Sequence, residues 1–209
     1  MSTAHLPAVA LEAPVLLAPL SIEAAAVRRG APGSRIERTG MGPARALATA
    51  GRLAGELRDD VPIVLLGLAG GLEVSARPGD VVVATSLAEA AEGASPVGLD
   101  PALSSRLFQC LRERFGGAVK EGRILSSRRV VAGKELDRLA ERGEALAVEM
   151  ESFYLTPLAT RHRLGVVRVI LDGPGRSLLG LRTVPGGFVA LRRLREVAAV
   201  VSGSFRSTS

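Results

Sequence analysis

Three acidic residues, Glu23, Glu151 and Asp172, each stand at or just beyond the end of a short apolar run that reads as a β-strand. Ligands of open α/β sheets bind outside strand ends, so carboxyl groups in those positions are candidates for proton transfer or for gripping a polar ligand. The competing reading of any one of them alone is a solvated cap. Other chemistries find little support. His5 and His162 are the only histidines and Cys110 the only cysteine, too few for a typical zinc site. Neither histidine lies in a strand-to-helix elbow with a nucleophile motif, so a Ser-His-acid triad is unsupported. The stretch Gly67-Leu68-Ala69-Gly70-Gly71-Leu72 is glycine-rich but lacks the G-x-G-x-x-G spacing of a dinucleotide loop.

The elements that must position these carboxyls follow from alternating apolar runs and helical patterns, which predict a single-domain α/β fold with a central mixed β-sheet flanked by helices. Strands are expected at Val15 to Ala18, near Ser34 to Arg38, at Ile63 to Leu68, Asp80 to Thr85, Arg123 to Ser126, Ala145 to Met150 and Val166 to Leu171. The third and fourth of these, joined through Pro78-Gly79, read as a hairpin-like unit. Helices are expected at Ile22 to Arg29, Ala44 to Leu57, after the Asp100-Pro101 cap, at Lys134 to Arg142 and at Ser152 to Arg163. A last helix carries Phe188, Leu191, Leu194, Val197 and Val201 on one face. Gly173 to Gly187 reads as a mobile loop, and residues 202–209 as a disordered tail.

With 209 residues, 47% of them hydrophobic and 23% charged, the chain suits one soluble globular domain, taken as 1–209. The net charge of +6 comes almost wholly from arginine, since Lys120 and Lys134 are the only lysines. The arginines are scattered in small groups and aromatic residues are few, which argues against nucleic acid as a partner. A lone cysteine fits a reducing, cytoplasmic compartment, and Cys110 reads as a core residue of an amphipathic helix. The apolar stretch from Leu6 to Val27 lacks a basic leading segment and contains Glu12, Glu23 and three prolines. It reads as a strand and a helix rather than a signal peptide or a membrane span.

The ordered set of Gly67 to Leu72, Arg77-Pro78-Gly79-Asp80-Val81-Val82-Val83, Val148-Glu149-Met150-Glu151-Ser152 and Val167-Arg168-Val169-Ile170-Leu171-Asp172 resembles the purine nucleoside phosphorylase and nucleosidase superfamily. The resemblance runs in the same order from about Val15 to Asp172. It implies that Met150 lies against a ribose and Glu151 on its hydroxyls, with Glu149 beside them; a carboxylate accepting from two neighbouring hydroxyls fixes the sugar through charge-assisted hydrogen bonds. It implies that Asp172 is a general acid toward the purine N7, a role that needs a carboxyl raised toward neutrality by burial. It further implies that Glu23 activates an attacking water, that Ala69 and Gly70 line the site, and that Val130 and Val131 stand where nucleosidases stack an aromatic on adenine. Plain core packing is the alternative for Met150.

This resemblance implies no cofactor, with phosphate as the alternative co-substrate to water, and a homo-oligomer, dimer or larger, acting on a small-molecule nucleoside. Glu23 favours hydrolysis. The arginine that phosphorylases place shortly before the glycine-rich loop has no counterpart at Val64, Leu65 and Leu66, although Arg28, Arg29 or Arg45 can approach from another direction. Within the superfamily the wording is most similar to the hopanoid-associated phosphorylase branch, which removes adenine from adenosylhopane. The methylthioadenosine/adenosylhomocysteine nucleosidases come second. The chain departs from the family at Leu171, where serine is usual, and at Gly173-Pro174-Gly175. These departures motivate a rival reading, a nucleoside-binding protein of the same fold without catalysis.

Overall fold

The computed structural model describes residues 12–175 and 184–206. Eight strands form one mixed sheet: β1 (Val15–Ala18), β2 (Ile36–Arg38), β3 (Pro62–Gly71), β4 (Val81–Glu89), β5 (Val97–Gly98), β6 (Val119–Ser126), β7 (Ala147–Glu149) and β8 (Arg163–Asp172). Helices α1 (Ser21–Gly30), α2 (Pro43–Glu56), α3 (Pro101–Phe115), α4 (Lys134–Glu141) and α5 (Val184–Ser204) surround it, with two 3-10 segments at Gly116–Ala118 and Ser152–Thr160. The expected fold class is the one found.

Strand side chains alternate between two cores, as a period of two requires. Val15, Leu17, Ile63, Leu65, Leu164 and Val166 pack on the side of α2 and the second 3-10 segment, together with Ala46, Leu53 and Leu158. Leu16, Val64, Leu66, Val167 and Val169 face the other way, onto Val27 of α1, Leu107 of α3 and Leu194 and Val197 of α5. A smaller cluster of Leu72, Leu125, Leu136 and Val148 sits under α4. Cys110 is half-buried against the second core.

Pairing departs from the expected hairpin. β8 lies between β3 and β4, parallel to the first and antiparallel to the second. β4 continues to β6, β6 to β7, and β7 returns to β3 through Gly70 and Gly71. Five strands therefore close a ring, from which β1 and β2 extend on one side and β5 on the other. The turn at Pro78-Gly79 was legible, but a local turn does not determine which distant strand fills the gap between β3 and β4.

Other boundaries also shift. Ser152–Thr160 winds as a 3-10 helix rather than an α-helix; Pro157 lies inside it and can supply no backbone donor. α5 begins at Val184, so the expected loop ends sooner, and residues 176–183 lie outside the described residues. At the other end α5 reaches Ser204, with Ser202 and Phe205 buried. Residues 202–206 are thus part of the packed structure, and 207–209 lie outside the described residues. His162 is buried just after the 3-10 segment rather than on an α-helix, and His5 lies outside the described residues. Among the described residues no helix is long and apolar enough to cross a membrane.

Candidate active site

Glu23 occupies the first turn of α1, where its carboxylate reaches back to the Leu20 amide at 2.7 Å, half of a capping box. Its other oxygen accepts from the Leu68 amide at 2.8 Å, across on β3. These two backbone donors fix a side chain that is only 2% exposed. Burial pushes its carboxyl above the ordinary range, opposed by the Arg168 guanidinium and by the two amides.

The second group comes from the end of β7. Glu149 accepts from the amides of Glu151 at 3.0 Å and Ser152 at 3.0 and 3.1 Å, from the Ser126 hydroxyl and from Nη2 of Arg168. Glu151 turns the other way and accepts from the Gly42 amide at 2.8 Å. Gly42 is the residue before α2 and holds a φ of +89°, which only glycine adopts readily and which aims its N–H into the site. The positive end of α2 therefore faces Glu151. Burial nevertheless dominates and raises the Glu151 carboxyl to about 7, with Arg168 and the Gly42 amide acting in the opposite direction and Glu149 adding to the rise.

Arg168 links these carboxylates. It sits mid-strand in β8, fully buried, and its Nη2 contacts Glu149 and, at 3.0 Å, Ser152 Oγ, with Glu151 3.6 Å away. Its register partner is Gly67. A Cβ on Gly67 would collide with Arg168 Nη1 and lie 3.2 Å from Glu23 Oε1. The glycine is thus the gap through which the guanidinium reaches toward Glu23. Nη1 and Nε have no hydrogen-bond partner among the described residues. Buried N–H donors are almost always paired in folded proteins, so two orphans beside a buried carboxylate mark a place where an acceptor binds. Three carboxylates share one cation here, and full ionisation of all three would leave the pocket net negative.

Asp172 closes β8 opposite Gly70, just after a bulge at Leu171 of β8, with Oδ1 3.3 Å from where a Gly70 Cβ would be. It lies four residues beyond Arg168 on the same strand, about 13 Å away at the usual strand rise. Ala69 is buried beside it, Leu136 of α4 and Val148 of β7 flank Gly70, and Val131 packs on the cluster beneath α4. Val130 is 66% exposed. Met150 is half-buried, with Cε 3.8 Å from the position of a Gly42 Cβ. The carboxylates thus gather at one end of this strip and Asp172 stands at the other.

A cleft of about 420 Å³ lies elsewhere, beside Val15, Arg35, Glu56 and Arg58 near the start of β1. Its arginines Arg35 and Arg58 are engaged by Glu37, Glu56 and Glu12, and it contains none of the buried carboxylates. No group of three or more His, Cys, Asp or Glu among the described residues is placed to hold a metal ion.

A family model described as "Phosphorylase superfamily" matches residues 34–180, the segment that contributes Gly42, Gly67, Glu149, Glu151, Arg168 and Asp172. The chain belongs to the phosphorylase superfamily. No curated protein matches its sequence. Among solved structures it is similar to the 5′-methylthioadenosine/S-adenosylhomocysteine nucleosidase of Neisseria meningitidis in complex with methylthio-immucillin-A, at 19% identity and a TM-score of 0.73, over 93% of this chain and 98% of that one. It is likewise similar to the futalosine hydrolase of Helicobacter pylori, at 16% identity and 0.72, over 93% and 97%. The S-adenosylhomocysteine nucleosidase of Streptococcus pyogenes in complex with 5-methylthiotubericidin matches at 18% and 0.72, over 95% and 97%. At these identities the likeness establishes a shared fold.

As a member of the phosphorylase superfamily, the chain brings Glu23, Glu149, Met150 and Glu151 together, and sets Ala69, Gly70 and Asp172 further along the same sheet edge. What sequence reasoning missed is Arg168. The signal was present, since a lone arginine within Val166-Val167-Arg168-Val169-Ile170, opposite a glycine in Leu65-Leu66-Gly67-Leu68, is out of place in a strand buried on both faces.

Proposed function

We propose that this protein hydrolyses the N-glycosidic bond of a purine nucleoside or 5′-modified adenosine. The observation that carries this reading is the buried cluster of Glu23, Glu151 and Arg168, with two guanidinium N–H groups that find no acceptor among the described residues. A water held by Arg168 and Glu23 fits that arrangement. Its oxygen bonds to C1′ as its proton passes to Glu23, and the bond from C1′ to the purine nitrogen breaks with its electron pair moving into the base. Glu151 grips the ribose hydroxyls, Met150 lies along the sugar, and Glu149 holds Arg168. Asp172 donates to the purine N7, with Ala69, Gly70, Val130 and Val131 along the base.

Charge supports water over phosphate. With Glu23 ionised as the base and Glu149 paired to Arg168, the one guanidinium is already balanced and leaves no surplus positive charge for a phosphate dianion. Phosphorolysis would require a further cation beside Glu23. The family resemblance supports a substrate among adenosines with an apolar 5′ group, of the adenosylhopane or methylthioadenosine kind, and a homo-oligomer as the active form.

The test is adenine release from methylthioadenosine, adenosine and an apolar 5′-substituted adenosine, with and without phosphate. Release is expected without phosphate and unchanged by it. Asp172→Asn should lower kcat by about 10² to 10⁴, the usual contribution of a general acid. Strict dependence on phosphate would replace hydrolysis by phosphorolysis. Binding of all three with no release would favour the non-catalytic reading that Leu171 and Gly173-Pro174-Gly175 motivate.

A further inference from the structure

Ser126 lies at the end of β6, fully buried, in a stretch otherwise read as the base side of the site. Its backbone is held from both neighbouring strands: its carbonyl accepts from the Ala90 amide at 2.9 Å, and the next amide, Ser127, donates to the Glu149 carbonyl at 2.7 Å. The register pairs Ser126 with Glu89 on β4 and with Glu149 on β7. The hydroxyl therefore has a defined place, where it donates to Glu149 Oε1 and accepts from the Phe153 amide at 2.9 Å.

Glu149 can hold Arg168 only if its carboxylate keeps one orientation. The amides of Glu151 and Ser152 are on its own chain segment and move with it. Apart from Arg168 itself, Ser126 is the donor that comes from a different strand, and so ties the carboxylate to the sheet rather than to its own turn. The same hydroxyl receives the Phe153 amide, at the start of the 3-10 segment whose Ser152 Oγ also contacts Arg168. We propose that Ser126 is a positioning residue which, through Glu149, holds the Arg168 guanidinium in the gap over Gly67 between Glu23 and Glu151. This inference rests on the hydrolytic reading for its effect on rate, and on the hydrogen-bond geometry alone for its effect on Arg168.

Removing the hydroxyl leaves the Phe153 amide without its acceptor and Glu149 without its cross-strand donor. The anion of Glu149 loses support, its grip on Arg168 loosens, and the donors facing Glu23 become misplaced. An error of about 1 Å in such a group costs on the order of a hundredfold in rate.

The experiment compares Ser126→Ala, Ser126→Thr and the unchanged protein in two measurements. The first is NMR of isotopically labelled arginine side chains, with the Arg168 signal assigned by its absence in Arg168→Lys. The unchanged protein and Ser126→Thr should show a slowly exchanging Arg168 guanidinium, and Ser126→Ala should lose that protection. The second is the pH profile of adenine release. Ser126→Ala should lower kcat by about tenfold to a hundredfold, with a smaller change in KM and a displaced pH profile, and Ser126→Thr should recover most of the loss. An unchanged Arg168 signal in a folded Ser126→Ala overturns the proposal, as does a rate loss that Ser126→Thr does not relieve while its own Arg168 signal stays protected. If the unchanged protein releases no adenine, the hydrolytic reading fails while the NMR comparison still decides the role of Ser126.

Discussion

The two ends of the candidate site are built differently. At the end proposed to hold the sugar, Glu23, Glu149, Glu151 and Arg168 are all buried and tied to backbone amides or to one another, from α1, the loop before α2, β3, β7 and β8. At the end proposed to hold the base, Asp172 stands where β8 gives way to Gly173-Pro174-Gly175, and Val130 is exposed. The first is a set of charges whose positions the sheet imposes; the second depends on the segments leaving the sheet. Substitutions at the sugar end should therefore be felt in both stability and catalysis, whereas those at the base end should be felt in catalysis or selectivity alone.

The largest effect on stability is expected at Arg168. Arg168→Met leaves three buried carboxylates without their cation, and breaking a buried ion pair from one side costs about 3–5 kcal/mol. Thermal unfolding near neutral pH should show this loss, with part of it recovered in acid as the carboxyls take up protons. Equal stability at both ends of that pH range would break the contrast. Asp172→Asn, at the other end, should leave the melting temperature near that of the unchanged protein while lowering kcat.

Glu151 is intermediate. Its carboxyl is raised to about 7 from an ordinary 4.5. Over that window the folded protein binds more protons than the unfolded chain, so this group's contribution to stability is complete below about 4.5 and is lost as the pH rises through 7. In Glu151→Gln this fall should disappear, which urea titrations at several pH values would reveal. The same change replaces a charged acceptor for ribose hydroxyls by a neutral one. A charge-assisted hydrogen bond contributes about 1.5–3 kcal/mol, so KM should rise about tenfold to a hundredfold.

The smallest effect belongs to Val130. Val130→Phe offers an aromatic face to the base, and aromatic pairing adds about 0.5–1.5 kcal/mol. Adenine or nucleoside affinity measured calorimetrically should improve by roughly twofold to tenfold, with stability unchanged. No gain would show that the base lies elsewhere than along Val130 and Val131.

Legibility in the sequence follows the same division. Elements whose pattern is local could be read directly: the apolar strands and the Asp100 cap with its bond to the Leu103 amide at 2.7 Å. The carboxylates Glu149 and Glu151 were legible because they occur together in one short motif. Arg168 was overlooked because its role depends on facing Gly67, about a hundred residues earlier in the chain. The closing of the strand ring was hidden for the same reason, since β8 is the last strand and enters between two strands that a short turn connects. The 3-10 form of Ser152–Thr160 departs from the expected α-helix because Pro157 lies inside it and supplies no backbone donor. The buried end of α5 was missed because a short polar terminus reads as a tail until Phe205 is seen to pack on Arg106.

The central claim is that the buried carboxylates and Arg168 direct a water, not a phosphate, at C1′. It is tested most directly by running the reaction in heavy-oxygen water containing phosphate and analysing the sugar product by mass spectrometry. The account predicts a free sugar carrying the heavy oxygen at C1′, lost together with turnover in Glu23→Gln. A sugar 1-phosphate with no label from water would contradict it.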